Sequence, residues 1–65
     1  MIKLNGDPYG VAGPLTVAEL LARLDVDSRR VAVEHNLAIL KREKFDRTRI
    51  ADGDEIEIVN FVGGG

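Results

Sequence analysis

At 65 residues the chain has room for one domain and a core of about a dozen apolar side chains, too little to support a catalytic pocket with its second layer and a water-excluding cover. The composition is 45% hydrophobic and 31% charged with only short apolar runs and no cysteine, which excludes a membrane-spanning helix, a disulfide framework, a thiolate nucleophile and the usual zinc site. A net charge of −2 with interspersed signs, and only Tyr9, Phe45 and Phe61 as aromatics, argues against nucleic acid as a partner and for a module that acts through other proteins.

Ile2 and Leu4 alternate with Lys3 and Asn5, the period-two pattern of a half-buried strand, and this start lacks the succession of a signal peptide, so the expected location is the cytoplasm. Asn5-Gly6-Asp7-Pro8 supplies turn chemistry, and Tyr9 to Ala12 is expected to return as a second strand. After Gly13-Pro14, the run Thr16-Val17-Ala18-Glu19 reads as a capping box, so a helix is predicted from Val17. Val17, Leu20, Leu21 and Leu24 fall at i, i+3, i+4 and i+7 and form one apolar stripe that must pack on a sheet. Residues 25–30 form a polar connection with Val26 as a core plug. Val31 to Asn36 reads as a third strand with Val31 and Val33 facing the helix, and Ile39-Leu40 as a short fourth. Lys41 to Arg49 is highly charged around Phe45 and is expected to be irregular, its basic run a solvated surface. A turn at Ala51-Asp52-Gly53-Asp54 precedes the clearest strand, Glu55 to Phe61, with Ile56 and Ile58 on the core face. The order implies an α+β fold in which one main helix covers one face of a mixed sheet of four to five strands.

In the last strand Glu55 and Glu57 share a face with Val59 and Phe61, so the solvent face turns apolar toward the C-terminus. That pattern is either a docking patch or a Phe that folds over the sheet edge to fill space. Gly63-Gly64-Gly65 has nothing to bury and loses the most entropy on ordering, so it serves no fold. Glycine does let a backbone enter a narrow channel, and an extended stretch from Val62 to Gly65 reaches about 13 Å. From the tail alone, delivery of the terminal carboxylate and a frayed or adventitious end stay open. The division expected is a folded domain over 1–61 and a mobile tail over 62–65. His35, without a second ligand at metal spacing, reads as structural or exposed, and Glu55 with Glu57 as a solvated pair; no catalytic and no metal-binding residue is assigned.

Thr16 to Leu21, Val31 to Asn36, Ala51 to Val59 and Phe61-Val62-Gly63-Gly64-Gly65 together resemble the ThiS family, the sulfur carriers of thiazole formation in thiamine biosynthesis. The resemblance covers almost the whole chain, with Gly13-Pro14 and Leu37-Ala38 as mild departures. It implies a β-grasp, ubiquitin-like fold with the first and last strands paired in the centre of the sheet. It further implies that the Gly65 carboxylate is adenylated with ATP by an E1-like adenylyltransferase and converted to a thiocarboxylate. The sulfur would come from a cysteine desulfurase or other persulfide donor, and the loaded tail would hand it on in a thiazole synthase. On this reading Gly65 is the modified residue, Gly63 and Gly64 thread the tail, and Val59, Phe61 and Val62 dock on the partners. The chain binds no cofactor, since ATP and magnesium belong to the activating enzyme, and it is not an enzyme. Asp52, Asp54, Glu55 and Glu57 would form an acidic rim toward basic residues of that enzyme. The alternatives are a carrier for molybdopterin synthesis, tRNA thiolation or cysteine synthesis, and a β-grasp binding module without carrier activity.

Overall fold

The computed structural model describes residues 1–61; Val62, Gly63, Gly64 and Gly65 lie outside the described residues. In chain order the elements are β1 (Ile2–Leu4), β2 (Asp7–Tyr9), β3 (Leu15–Thr16), α1 (Val17–Arg23), β4 (Val31–His35), β5 (Ala38–Leu40), β6 (Arg49–Ile50) and β7 (Glu55–Asn60), with 3-10 turns at Ser28–Arg30 and Arg42–Lys44. Five strands form one mixed sheet in the order β2-β1-β7-β4-β5, and β3 and β6 form a two-stranded ladder beside it. β1 and β7 run parallel, while β7 runs antiparallel to β4 from Ile56, opposite His35, to Asn60, opposite Val31.

The helix starts where its local chemistry dictates. Glu19 N–H donates to Thr16 Oγ1 and Thr16 N–H donates to Glu19 Oε1, closing the capping box. The next free donors of the first turn, Val17 and Ala18 N–H, are satisfied by the Thr48 and Phe45 carbonyls. At the other end Asp25 takes a left-handed conformation (φ 58°), its N–H bonds the Ala22 carbonyl and Val26 N–H bonds the Leu21 carbonyl. This is a Schellman closure with aspartate where glycine is usual, and it turns Val26 back toward the core. Val17, Leu20 and Leu21 are fully buried against Ile2, Val31, Val33, Ile56, Leu15, Phe45 and Ile50, and Leu24 is half-buried at the margin.

Three expectations are corrected. The second strand lies at Asp7–Tyr9 rather than Tyr9 to Ala12, because Asn5 (φ 49°) and Gly6 (φ 86°) complete a two-residue turn and leave Asp7 opposite Leu4. Pro8 is tolerated there because β2 is an edge strand. The segment 41–49 is not merely irregular: it ends in β6, where Ile50 pairs with Leu15, and its turn buries Phe45 and caps α1. The β4–β5 turn is Asn36-Leu37, both left-handed (φ 52° and 72°), which starts β5 at Ala38 and holds a bulky leucine where glycine would be relaxed, at a cost of about 1 kcal/mol. Among the described residues no helix is long and apolar enough to cross a membrane.

Candidate functional site

The site begins at the C-terminal end of β7. Register places Ala32 opposite Val59, Glu34 opposite Glu57 and, on the next strand, Ile39 opposite Glu34. With Ile56 buried on the opposite face, these residues share the outer face of the sheet, which α1 does not cover. Val59 is 57% exposed and Phe61 54%. Phe61 is nevertheless held in line, since its N–H donates to the Arg30 carbonyl at 2.9 Å. It therefore stays tied to the Arg30 backbone just past the end of β7 and is not buried in the core.

Of the residues singled out from sequence, the structure brings Val59 and Phe61 together as exposed neighbours on this face. The others, Val62, Gly63, Gly64 and Gly65, lie outside the described residues. Ile39, 81% exposed, also stands on this face, on β5 beside Glu34. From sequence Ile39-Leu40 reads only as a short apolar strand; the signal available was its alternation with Leu40, which packs on the core and places Ile39 outward.

The N-terminal end of β7 is built differently. His35 Nε2 lies 2.8 Å from Asp54 Oδ2, and since a carboxylate only accepts, the Nε2 proton sits in this bond. Asn36 Nδ2 donates to Asp54 Oδ1, Ala51 N–H donates to Asp54 Oδ2, and Glu55 N–H donates to Asn36 Oδ1. Burial pushes the Asp54 carboxyl up, but the Ala51 N–H and the His35 and Asn36 side chains outweigh it and hold the group below its ordinary value. Asp54 is thus committed within the fold. Asp52 pairs with the N-terminal amine and Glu55 lies 3.9 Å from Lys3 Nζ. All three sit at the opposite end of β7 from Phe61, and Glu57 stands between on the outer face. Midway along β7, Asn5 accepts from Ile58 N–H at 2.7 Å and donates to the Ile58 carbonyl at 3.1 Å, extending the β1–β7 pairing by one side chain.

A single helix across a mixed sheet, with parallel first and last strands adjacent at its centre, defines a β-grasp, ubiquitin-like domain. The ThiS family model matches residues 2–65. The chain is 39% identical over 66 residues to the sulfur carrier protein ThiS of Bacillus subtilis, covering all of both chains. It is 45% identical over 62 residues to thiazole synthase of Paramagnetospirillum magneticum, matching 95% of this chain but spanning only 19% of that longer protein. The crystal structure of the thiamine biosynthesis protein ThiS of Geobacter metallireducens superposes with a TM-score of 0.86 at 45% identity, covering 98% of this chain and 97% of the other. The chain belongs to the ThiS family.

Proposed function

We propose that this chain is a sulfur carrier of thiamine biosynthesis whose Gly65 carboxylate is the atom group that is activated and loaded. The observation that carries the reading is the match of the whole chain, glycine tail included, to the ThiS family model, together with a like segment inside a thiazole synthase. A carboxylate is a poor acyl donor, so an oxygen of Gly65 attacks the α-phosphorus of ATP in an adenylyltransferase, the bond to the pyrophosphate breaks, and an acyl-adenylate forms. A persulfide sulfur then attacks the acyl carbon and AMP leaves; a thiol cleaves the resulting acyl disulfide and frees the thiocarboxylate. The chain supplies no sulfur of its own, having no cysteine. Magnesium and ATP belong to the activating enzyme, and the groups that move protons during ring formation belong to the thiazole synthase. This chain's own part is to present Gly65: Gly63 and Gly64 pass a narrow channel without a Cβ, and Val59, Phe61 and Val62 rest on the partner.

Deletion of Gly64 and Gly65 tests this. The truncated chain is expected to melt at the parent temperature and to lose both loading and thiazole formation. A truncated chain that still sustained the pathway would leave a binding module without carrier chemistry as the correct reading.

A further inference from the structure

The base of the tail is basic, although the chain is acidic overall. Phe61 leaves β7 bonded to the Arg30 carbonyl, and the 3-10 turn Ser28–Arg30 lies directly beside it. The Arg29 and Arg30 side chains are 81% and 79% exposed. Arg42 reaches across from the second 3-10 turn, its Nε donating to the Ser28 carbonyl and its Nη2 to the Arg29 carbonyl, both at 3.2 Å. Lys41 follows Leu40, the partner of Val33, and so reaches the same end of the sheet. Four cationic residues thus lie toward the same end of the sheet as Phe61, two in the turn bonded to it and two on the segment that follows β5.

Within the turn these cations are balanced chiefly by Asp27, and Glu43 and Asp46 line with Arg42 the groove against α1. Asp27 accepts from the Arg29 backbone N–H at 2.9 Å and from its Nε and Nη2 at 3.2 Å, and lies 3.8 Å from Arg30 Nε. The Arg29 side-chain hydrogen bond is the chief reason the Asp27 carboxyl is held below its ordinary range. These groups are on the surface, where ion pairs are weak and exchangeable, so an outside carboxylate can replace Asp27 at little cost. Farther from the tail the outer face changes sign, because Glu34 and Glu57 oppose each other directly across the β4–β7 ladder. Like charges directly opposite in that position destabilise a sheet.

We propose that Arg29, Arg30, Lys41 and Arg42 form a collar that pairs with carboxylates around the mouth of the activating enzyme's tail channel, and that the collar and the Glu34–Glu57 pair together orient docking so that Gly65 enters first. This rests on the carrier reading and adds to it which charges select the partner. An electrostatic contact at the rim acts on encounter and orientation, not on the acyl transfer, so its signature lies in KM and in salt dependence. The partner's other candidate, the thiazole synthase, is distinguished by titrating each variant against it and reading its Kd beside the activating enzyme's KM.

The test follows pyrophosphate release by the activating enzyme at saturating ATP, as a function of carrier concentration and salt, for the parent chain, Arg29→Glu/Arg30→Glu, Asp27→Asn and Glu57→Lys. The arginine reversal is expected to lower kcat/KM roughly tenfold at low salt through KM and to flatten its salt dependence, with kcat and melting temperature unchanged. Asp27→Asn is expected to match or exceed the parent, since asparagine keeps the cap on the Arg29 N–H while freeing the guanidinium. Glu57→Lys is expected to raise KM several-fold at low salt, and a parent-like KM removes the Glu34–Glu57 pair from the proposal. Parent-like kcat/KM and salt slope in the arginine reversal, a loss confined to kcat, or weakened binding only to the thiazole synthase overturns the collar. Absence of release with the parent chain overturns the carrier reading itself, and the collar with it.

Discussion

The two ends of β7 are built to opposite specifications. At its N-terminal end, one half-buried carboxylate, Asp54, joins the β4–β5 turn to the β6–β7 turn through His35, Asn36 and Ala51, while the Asp54 carbonyl accepts from Lys3 N–H and so ties in β1. At its C-terminal end Val59 and Phe61 stand exposed on the outer face, and Asn5, bonded to Ile58, is the last tie to β1. On the function proposed above, the difference separates stability from recognition along one strand. A half-buried carboxylate that already accepts from three groups of the fold has little left for a partner, and exposed apolar side chains contribute little to folding. Stability and recognition should therefore respond to different substitutions.

The comparison is broken most directly at Asp54. Asp54→Ala leaves His35, Asn36 and the Ala51 N–H without their acceptor and should cost about 2–3 kcal/mol, which for a domain of this size lowers the melting temperature by roughly 10 °C or more. A shift of only a degree or two by circular dichroism would mean that the network is not what holds this end. The same group sets a pH dependence. Folding lowers the Asp54 pKa, so the ionised group stabilises the fold at pH values above the ordinary carboxylate range of about 4, and that contribution is lost as pH falls through the folded pKa. In denaturant titrations the variant should show a shallower acid limb than the parent.

A smaller effect is expected midway along the strand. Asn5→Ala removes both side-chain bonds to Ile58 and places a left-handed φ on a residue that resists it, costing about 1–2 kcal/mol. Because Ile58 precedes the exposed patch, amide exchange should quicken at Ile58 and not at Ile56; equal protection at both positions would show that the β1–β7 ladder does not depend on Asn5. The smallest stability change belongs to the tail end. Phe61→Ala should move the unfolding free energy by less than about 0.5 kcal/mol, as for most surface substitutions, while weakening capture by the activating enzyme. A large loss of stability with unchanged capture would reverse the assignment of the two ends.

How much of this was legible in the sequence depended on the range of the interactions. The capping box needs only Thr16 and Glu19, three residues apart, and the helix stripe only its own periodicity, so both were visible and both are present. The alternation of β7 likewise placed Ile56 inward and Phe61 outward. The β3–β6 ladder joins Leu15 to Ile50 across most of the chain, and two-residue strands carry no period to detect. The Asp54 network was hidden for the same reason: His35 and Asn36 meet it 19 and 18 residues away, and His35 read simply as a lone histidine. Asn36 and Asp54 are both turn-forming residues at the ends of strands that pair antiparallel, which is the one signal that could have brought them together. The basic collar assembles from residues 29, 30, 41 and 42, two short pairs that the sequence shows as ordinary charged surface. The task of the tail was legible only through the resemblance of the whole chain, because three glycines carry no pattern of their own.

The central claim is that Gly65 is the loaded residue. Intact-mass analysis of the chain after incubation with an activating enzyme, ATP, magnesium and a sulfide source tests it most directly. The account predicts a mass gain equal to the exchange of one oxygen for one sulfur, confined to the C-terminal fragment and dependent on ATP. An unchanged mass under conditions in which the activating enzyme loads another carrier, or a gain located outside the C-terminal fragment, would contradict it.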